Sequence, residues 1–162
     1  MRSILLLAPL IALAGCVAGG SPAPTPGDSA TITYATQPCF GACPVYTVAV
    51  SPDGQGVFTG KRFTAVTGER TFTVPRDAYD RFAAALAPYR PENGEVRYEM
   101  GSDNCGMAPT DQPSADVTWT SVTGANGKLH FYYGCARENP DLAGALRSAP
   151  DLLPIGEMIG KR

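Results

Sequence analysis

The chain has 162 residues, 13 of them Lys or Arg and 15 Asp or Glu, so its formal net charge at pH 7 is -2. Charged residues make up 17%, below the roughly 25% of an average soluble domain, while Gly (18) and Pro (15) are abundant. This composition excludes a polybasic nucleic-acid binder, whose Lys and Arg cluster, and a coiled coil, which needs Glu, Lys and Leu in heptads. The hydrophobic content of 44% argues against full disorder and indicates one compact domain.

The amino-terminal segment has the features of an export signal. Residues 1–3 carry one positive charge, and an apolar run of 11 residues (4–14) follows, about half of the roughly 20 residues that a membrane-spanning helix needs. A short basic start, an apolar stretch and small residues at its end are typical of a secretory signal peptide. The segment ends with the sequence Leu-Ala-Gly-Cys, whose last residue is Cys16. This sequence is a form of the bacterial lipobox. The chain therefore resembles a bacterial lipoprotein precursor.

That resemblance implies a lipid anchor at Cys16. In bacterial lipoproteins the lipobox thiol is acylated, cleavage occurs just before it, and the new amino terminus is acylated as well. We therefore expect a signal peptide at residues 1–15, palmitate-type chains on Cys16 that hold the protein in the bilayer, and a Pro- and Gly-rich tether through residue 29. Residue 17 is Val rather than the Asp that favours retention at the inner membrane. The resemblance thus implies an outer-membrane lipoprotein facing the periplasm.

Four further cysteines follow in a chain expected to enter an oxidising compartment, where disulfides persist: Cys39, Cys43, Cys105 and Cys135. Four cysteines allow three pairings, and sequence alone does not decide among them. We favour Cys39 with Cys43, because Gly41 lets a tight loop close, and Cys105 with Cys135. In the chain-entropy model the short loop contributes about 2 kcal/mol and the long loop roughly 3.7 kcal/mol. The longer bridge is therefore expected to matter more to stability.

The spacing of the first pair also permits a different interpretation. Cys-x-x-x-Cys-Pro resembles the motif of copper-chaperone thiol proteins with a thioredoxin-like fold, which bind copper through two cysteines and a distant histidine. The only histidine is His130, so the alternative metal site is Cys39, Cys43 and His130. In the thioredoxin-like pattern the motif leads into a helix, whereas residues 45–50 here predict a strand. A structural disulfide is favoured, and thiol or copper chemistry stays open as the alternative.

Alternating apolar and polar residues predict a series of short strands after residue 30. Turn signals separate several of them, including Pro-Asp-Gly-Gln at 52–55 and Asn-Gly at 126–127. The predicted strands cover residues 31–34, 44–51, 56–60, 63–66, 70–74, 116–122 and 128–134.

Helical spacing of apolar residues predicts two helices. Pro75 opens the first, and two prolines, at 88 and 91, end it. Asn139 is the expected cap of the second, with Pro140 at its first position. The side chains expected to face the core are Tyr79, Phe82, Ala83 and Leu86 in the first helix and Leu142, Ala145 and Leu146 in the second.

Two stretches lack a clear pattern. Residues 88–113 show no strong periodicity, and Cys105 within them indicates a loop that a crosslink holds. The tail from Asp151 is interrupted by Pro and Gly and is expected to be irregular. Together the elements predict an α+β fold over residues 30–162. Its antiparallel β-sheet of five to seven strands is built from hairpins, with two helices packed on one face.

One run of residues carries a second resemblance. Cys39 to Tyr46 reads Cys-Phe-Gly-x-Cys-Pro-x-Tyr, and a strand, an Asp-Gly turn and an aromatic strand ending at Gly60 follow it. This order resembles the bacterial family known as domain of unknown function 6438, over roughly residues 31–148. The resemblance implies an envelope domain without an established reaction, to which Cys105 and Cys135 look like an addition.

Other candidate chemistry is weak in this sequence. There is no Gly-x-Ser-x-Gly, no His-Glu-x-x-His and no phosphate-binding loop. His130 lies in a predicted strand, where a packed or surface histidine is the expected role. An acidic stretch permits a weak calcium site but fits a solvated loop better, and two aspartates leave paired-carboxylate hydrolysis open. These acids are Glu92, Glu95, Glu99 and Asp103 in the stretch and the pair Asp111 and Asp116.

Six aromatic residues either line a ligand groove or, as strand alternation favours, fill the core. They are Phe40, Tyr46, Phe58, Phe63, Trp119 and Tyr133. With no catalytic residue and no cofactor expected, the sequence favours a non-enzymatic binding or structural module in the envelope. Its expected partners are the lipid bilayer, through acylated Cys16, and an envelope protein, but not nucleic acid.

Overall fold

A computed structural model of the chain describes residues 30–121 and 126–160. The signal peptide, Cys16 and the tether predicted above lie outside these residues. The described part contains seven strands and three α-helices, joined by short 3-10 turns. The strands are β1 (Thr31–Thr36), β2 (Val45–Val50), β3 (Gln55–Arg62), β4 (Gly68–Thr73), β5 (Gly94–Tyr98), β6 (Ser114–Thr120) and β7 (Gly127–Tyr132). The helices are α1 (Arg76–Leu86), α2 (Pro140–Ser148) and α3 (Gly156–Ile159).

The seven strands form one sheet in the order β4-β3-β2-β1-β6-β7-β5. All neighbours pair antiparallel except β5 and β7, which are parallel. The turn between β2 and β3 closes as predicted: Ser51 N donates to Gln55 O at 2.9 Å, and Gly54 takes a φ of +90° that favours glycine. The predicted α+β class, with a sheet of up to seven strands and two main helices, is confirmed.

The core lies between one face of the sheet and the helices. Alternate residues along the central strands are buried, among them Tyr34 of β1 and Trp119 of β6. Helix α1 buries Ala78, Tyr79, Phe82 and Leu86, while α2 buries Leu142, Ala143 and Leu146. Ala145, expected inside, is only half-buried, because Ala143 takes the inward position.

Two buried tyrosines tie separate elements together. The Tyr34 hydroxyl donates to Leu146 O at 2.8 Å and so joins β1 to α2. The Tyr79 hydroxyl donates to Ala30 O at 2.6 Å and joins α1 to the residue that precedes β1. A buried hydroxyl that has found its acceptor avoids the desolvation cost of an unpaired polar group.

The stretch 88–113 was wrongly expected to lack regular structure. Residues 94–98 form the edge strand β5, paired with β7 from Gly94↔Gly127 to Tyr98↔Phe131. Their sequence, Gly-Glu-Val-Arg-Tyr, has charged residues on the outer face and only one half-buried ring on the inner face. An edge strand of this kind gives a weak hydrophobic alternation.

Three further predictions are corrected near chain reversals. Residues 63–66 are not a strand: β3 ends at Arg62, and Phe63 takes a φ of +55°. The N–H groups of the next residues, Ala65 and Val66, donate to carbonyls of α3 at 3.1 and 3.0 Å. The tail after Asp151 is thus partly helical and packed, with Ile159 buried. Tyr133, expected on the last strand, lies in a 3-10 turn.

No helix of the described residues covers the opposite face of the sheet. This face carries short polar side chains, with Thr33, Thr47, Thr59 and Thr118 on neighbouring strands. Its two edges are β4 and β5. Within residues 30–121 and 126–160, no helix is both long and apolar enough to cross a membrane.

Candidate functional site

The motif loop is closed by the Cys39–Cys43 disulfide, with a Cα–Cα distance of 5.8 Å. Gly41 between the two cysteines has a φ of +148°, a backbone conformation that residues with side chains rarely adopt. Both cysteines are half-buried, and Phe40 at the tip is 88% exposed. The predicted pairing is therefore present, and it holds a short surface loop at the entry of β2.

The Cys105–Cys135 disulfide is present as well, and it is buried. Cys105 is 2% exposed and Cys135 is 0% exposed, with Cα atoms 5.0 Å apart. The Asn139 side chain, expected to cap α2, makes no cap hydrogen bond. Its amide donates instead to Asn104 O at 2.8 Å and Cys135 O at 3.2 Å, so it supports the same junction.

Thr36 fixes the motif loop against the sheet. Its Oγ1 donates to Pro44 O at 2.8 Å and accepts from Tyr46 N at 3.0 Å. Between Val45 and Tyr46 the register with β3 shifts, as at a β-bulge, which redirects the strand locally. One hydroxyl thus sets the position of the Cys-Pro-x-Tyr end of the motif.

A cavity of about 440 Å³ opens beside this motif. It lies where β1 ends and where β2 and β6 begin, beside the last turn of α2. Its volume is in the range of small-molecule sites. The lining residues are Tyr34, Thr36, Gln37, Cys43, Pro44, Tyr46, Gln112, Pro113, Ser114, Tyr133, Arg147 and Pro150.

The charge of this cavity is set by one residue, Arg147. Its guanidinium carbon lies 4.8 Å from the centre of the Tyr133 ring, which is cation–π geometry. Among the described residues, no carboxylate lies within ion-pair distance of Arg147. The described lining residues include no Asp or Glu, so they give the cavity a positive charge in a chain of net charge -2.

A second cavity, of about 370 Å³, adjoins the first. Gln112 and Tyr133 line both, so the two cavities lie next to each other at these side chains. The second one has a neutral ion pair, Arg137 to Glu138 at 2.9 Å, and the exposed Met107. Together they form a groove along one end of the sheet, which we call the motif groove.

His130, the histidine of the alternative metal site, does not line the motif groove. It lies on the face of the sheet opposite the helices. His130 Nδ1 is 2.7 Å from Asp116 Oδ1, and Asp116 Oδ2 accepts a hydrogen bond from Gln37 Nε2 at 2.7 Å. On its other side His130 Nε2 is 3.8 Å from Glu99. In the described part of the chain, no three His, Cys, Asp or Glu residues are grouped to hold a metal ion. The structure thus does not bring His130 together with Cys39 and Cys43.

Two of the four acids of the acidic stretch, Glu95 and Glu99, pair with basic neighbours. Arg97 of β5 binds both Glu95 and Glu99, and Lys128 Nζ lies 3.3 Å from Glu95. The pKa values of Glu95 and Glu99 are lowered, mainly because Arg97 donates hydrogen bonds to both carboxylates. These groups form an exposed ion network and not a calcium site among the described residues.

The two aspartates proposed as a pair bind different partners. Asp111, with a φ of +68°, accepts from Thr110 at 3.3 Å. Asp116 binds Gln37 and His130 as described above. Neither aspartate lines either of the two cavities.

The six aromatic residues divide between core and surface. Tyr46, Phe58 and Trp119 are buried, as strand alternation favoured. Tyr133 and one edge of Tyr46 line the motif groove, whereas Phe40 and Phe63 are exposed.

Sequence reasoning missed Arg147 and Gln112, both of which line the groove. Arg147 is a basic residue in the last turn of a helix, where such residues are common for their effect on the helix dipole. Gln112 lies in the irregular segment before β6. Neither residue belongs to a motif, so only the fold brings them to the cavity.

The comparisons with known proteins give one match. The sequence model of the family described as Domain of unknown function (DUF6438) matches residues 30–153. No curated protein matches the chain, and no solved structure does. The matched range includes the motif loop, all seven strands and the whole lining of both cavities. The chain therefore belongs to the family described as Domain of unknown function (DUF6438).

Proposed function

We propose that this chain is a bacterial envelope lipoprotein whose globular domain is a non-enzymatic binding module. Acylated Cys16 anchors it in the outer membrane, facing the periplasm. The motif groove binds its ligand. The observation that carries the proposal is the position of the motif: Cys43, Pro44 and Tyr46 form one wall of the larger cavity. A disulfide and the Thr36 hydroxyl hold that wall in place.

The chemistry of the lining supports binding rather than catalysis. The twelve described residues of the larger cavity include no Asp, no Glu and no His, and the sulfur of Cys43 is bonded to Cys39. Acid–base catalysis needs a titratable group placed at the reacting atom, and nucleophilic catalysis needs a nucleophile beside a base. What the lining offers is aromatic surface, amides, hydroxyls and one guanidinium, which are binding groups.

Thiol exchange or copper handling at Cys39 and Cys43 is the second candidate. One observation favours it: this disulfide is half-buried on a surface loop, and Cys43 borders the cavity. Such exchange needs a thiolate of low pKa, which a nearby cation usually provides. The sequence has no Lys, Arg or His from residue 37 to 46. Arg147 shares the cavity with Cys43, but its guanidinium lies against the Tyr133 ring. The first candidate therefore has the stronger support.

The test is photo-crosslinking from inside the groove. A photoreactive benzoylphenylalanine is placed at Gln112, which lines both cavities, in the full chain expressed in a bacterium with two membranes. The matched control carries the same group at Thr71, exposed on the far edge strand β4. We expect a discrete light-dependent mass adduct from position 112 and none from position 71.

Two results of this experiment would contradict the proposal. Equal adducts from positions 112 and 71 would show that the groove is no different from the rest of the surface. No adduct from position 112 in intact cells, with the protein folded and membrane-bound, would remove the groove as the ligand site.

A further inference from the structure

We propose that the motif groove binds the carboxyl-terminal end of an extended peptide, with the terminal carboxylate on Arg147. This rests on the proposed function and names the class of ligand. Three features of the groove carry it: the Arg147 cation, which no described acid pairs with, the length of the groove, and the different charge of its two ends.

The cation is arranged for a planar anion. The contact with the Tyr133 ring, at 4.8 Å, holds the Arg147 guanidinium at the cavity, and a guanidinium binds a carboxylate through two parallel hydrogen bonds. No acid within residues 30–121 and 126–160 pairs with Arg147, so no carboxylate of that part of the chain competes for its donors.

A monoanion fits this site better than a phosphate dianion. Among the described residues that line the larger cavity, Arg147 is the only Lys or Arg. It lies in the last turn of α2, and the carboxyl end of a helix carries partial negative charge. One guanidinium balances one carboxylate, whereas a dianion beside a helix carboxyl end would keep an uncompensated charge.

The length of the groove indicates a chain-like ligand. The cavities of about 440 and 370 Å³ lie next to each other at Gln112 and Tyr133. The first cavity also presents the amide of Gln37 and the hydroxyl of Ser114, groups that hydrogen-bond peptide units. Both ends of the groove have apolar or aromatic surface for side chains.

The direction in which the peptide lies follows from the charges at the two ends of the groove. In the second cavity Arg137 is neutralised by Glu138, at 2.9 Å, so that end offers no net positive charge. Only the Arg147 end attracts an anion. The carboxyl terminus therefore lies in the larger cavity, and the preceding residues pass Gln112 towards Met107.

The test uses two matched libraries of acetylated tetrapeptides, one ending in carboxylate and the other in carboxamide. The full chain, solubilised in detergent and immobilised, is exposed to both, and the retained peptides are counted by mass spectrometry. A hydrogen-bonded charge contributes about 1.5–3 kcal/mol, so we expect at least about a tenfold enrichment of the acids.

Three variants assign the enrichment to the guanidinium. Arg147→Gln should abolish the preference for acids, and Arg147→Lys should keep part of it, because the charge remains but the planar fork is lost. Arg81→Gln, which removes an exposed arginine of α1, should keep the full preference. Circular dichroism melting checks that all three variants are folded.

The outcomes separate this inference from the proposed function. Equal retention of the two libraries would overturn the inference that Arg147 binds the terminal carboxylate, while the groove would still bind peptides. Inorganic phosphate that displaces the acids at a lower concentration than acetate does would assign the site to phosphate and overturn the peptide. Retention of neither library by the wild-type chain would also overturn it, and the crosslinking from position 112 would then decide the function alone.

Discussion

Replacing Cys105 and Cys135 together by alanine is expected to lower the free energy of unfolding by about 3–4 kcal/mol. The bridge joins residues 30 apart in sequence, and cutting it restores the entropy of a long loop to the unfolded chain. Both sulfurs lie in the core, so their removal also costs buried contacts. For a domain of this size the melting temperature should fall by about 10 °C or more.

Chemical denaturation of the oxidised wild-type and variant proteins measures this effect. The matched control replaces Cys39 and Cys43 by alanine; that bridge closes a loop of separation 4, and about 2 kcal/mol is expected. The decisive comparison is which of the two variants loses more free energy of unfolding. A larger loss in the Cys39/Cys43 variant would mean that the short loop, and not the buried junction, determines stability.

Phe131→Ala is expected to lower the free energy of unfolding by about 3–5 kcal/mol. Phe131 of β7 is 0% exposed, and its ring centre lies 5.6 Å from that of Tyr98 and 5.3 Å from that of Tyr133. Truncation leaves a cavity between three elements and removes two aromatic contacts. Because Tyr98 is the inward ring of β5, that edge strand should lose most of its anchoring.

Denaturant titration measures the loss of stability, and hydrogen exchange at residues 94–98 measures the release of β5. Phe40→Ala is the control, since it removes the same side chain from a site that is 88% exposed and should change stability by less than about 0.5 kcal/mol. Unchanged exchange in β5 of the Phe131 variant would show that main-chain pairing with β7 suffices to hold this edge.

The parts of the fold with strong local patterns could be predicted from the sequence. Strands β1 to β3 alternate around the buried Tyr34, Val48 and Phe58, and their periodicity gave the correct face. Helix α1 begins after Pro75, as expected. The sequence left three disulfide pairings open, and the favoured one, Cys39 with Cys43 and Cys105 with Cys135, is the one in the structure.

Elements that depend on distant partners could not be predicted. Strand β5 is identified by its parallel pairing with β7, about 30 residues later in the chain, because its own hydrophobic alternation is weak. Residues 65 and 66 look like a strand but hydrogen-bond to α3. The motif was recognised from the sequence, but the cavity beside it was not. Arg147 lines that cavity only because α2 packs against Tyr34.

The most direct test of an anchored module closed by two disulfides is the intact mass of the chain extracted from the envelope of cells that express it. We predict a chain that begins at Cys16, carries acyl chains there, and lacks two hydrogens for each disulfide. An unlipidated chain, or one that begins elsewhere, would contradict the anchor. Reduced Cys39 and Cys43 in the freshly extracted protein would contradict the structural role of the motif disulfide and favour thiol chemistry.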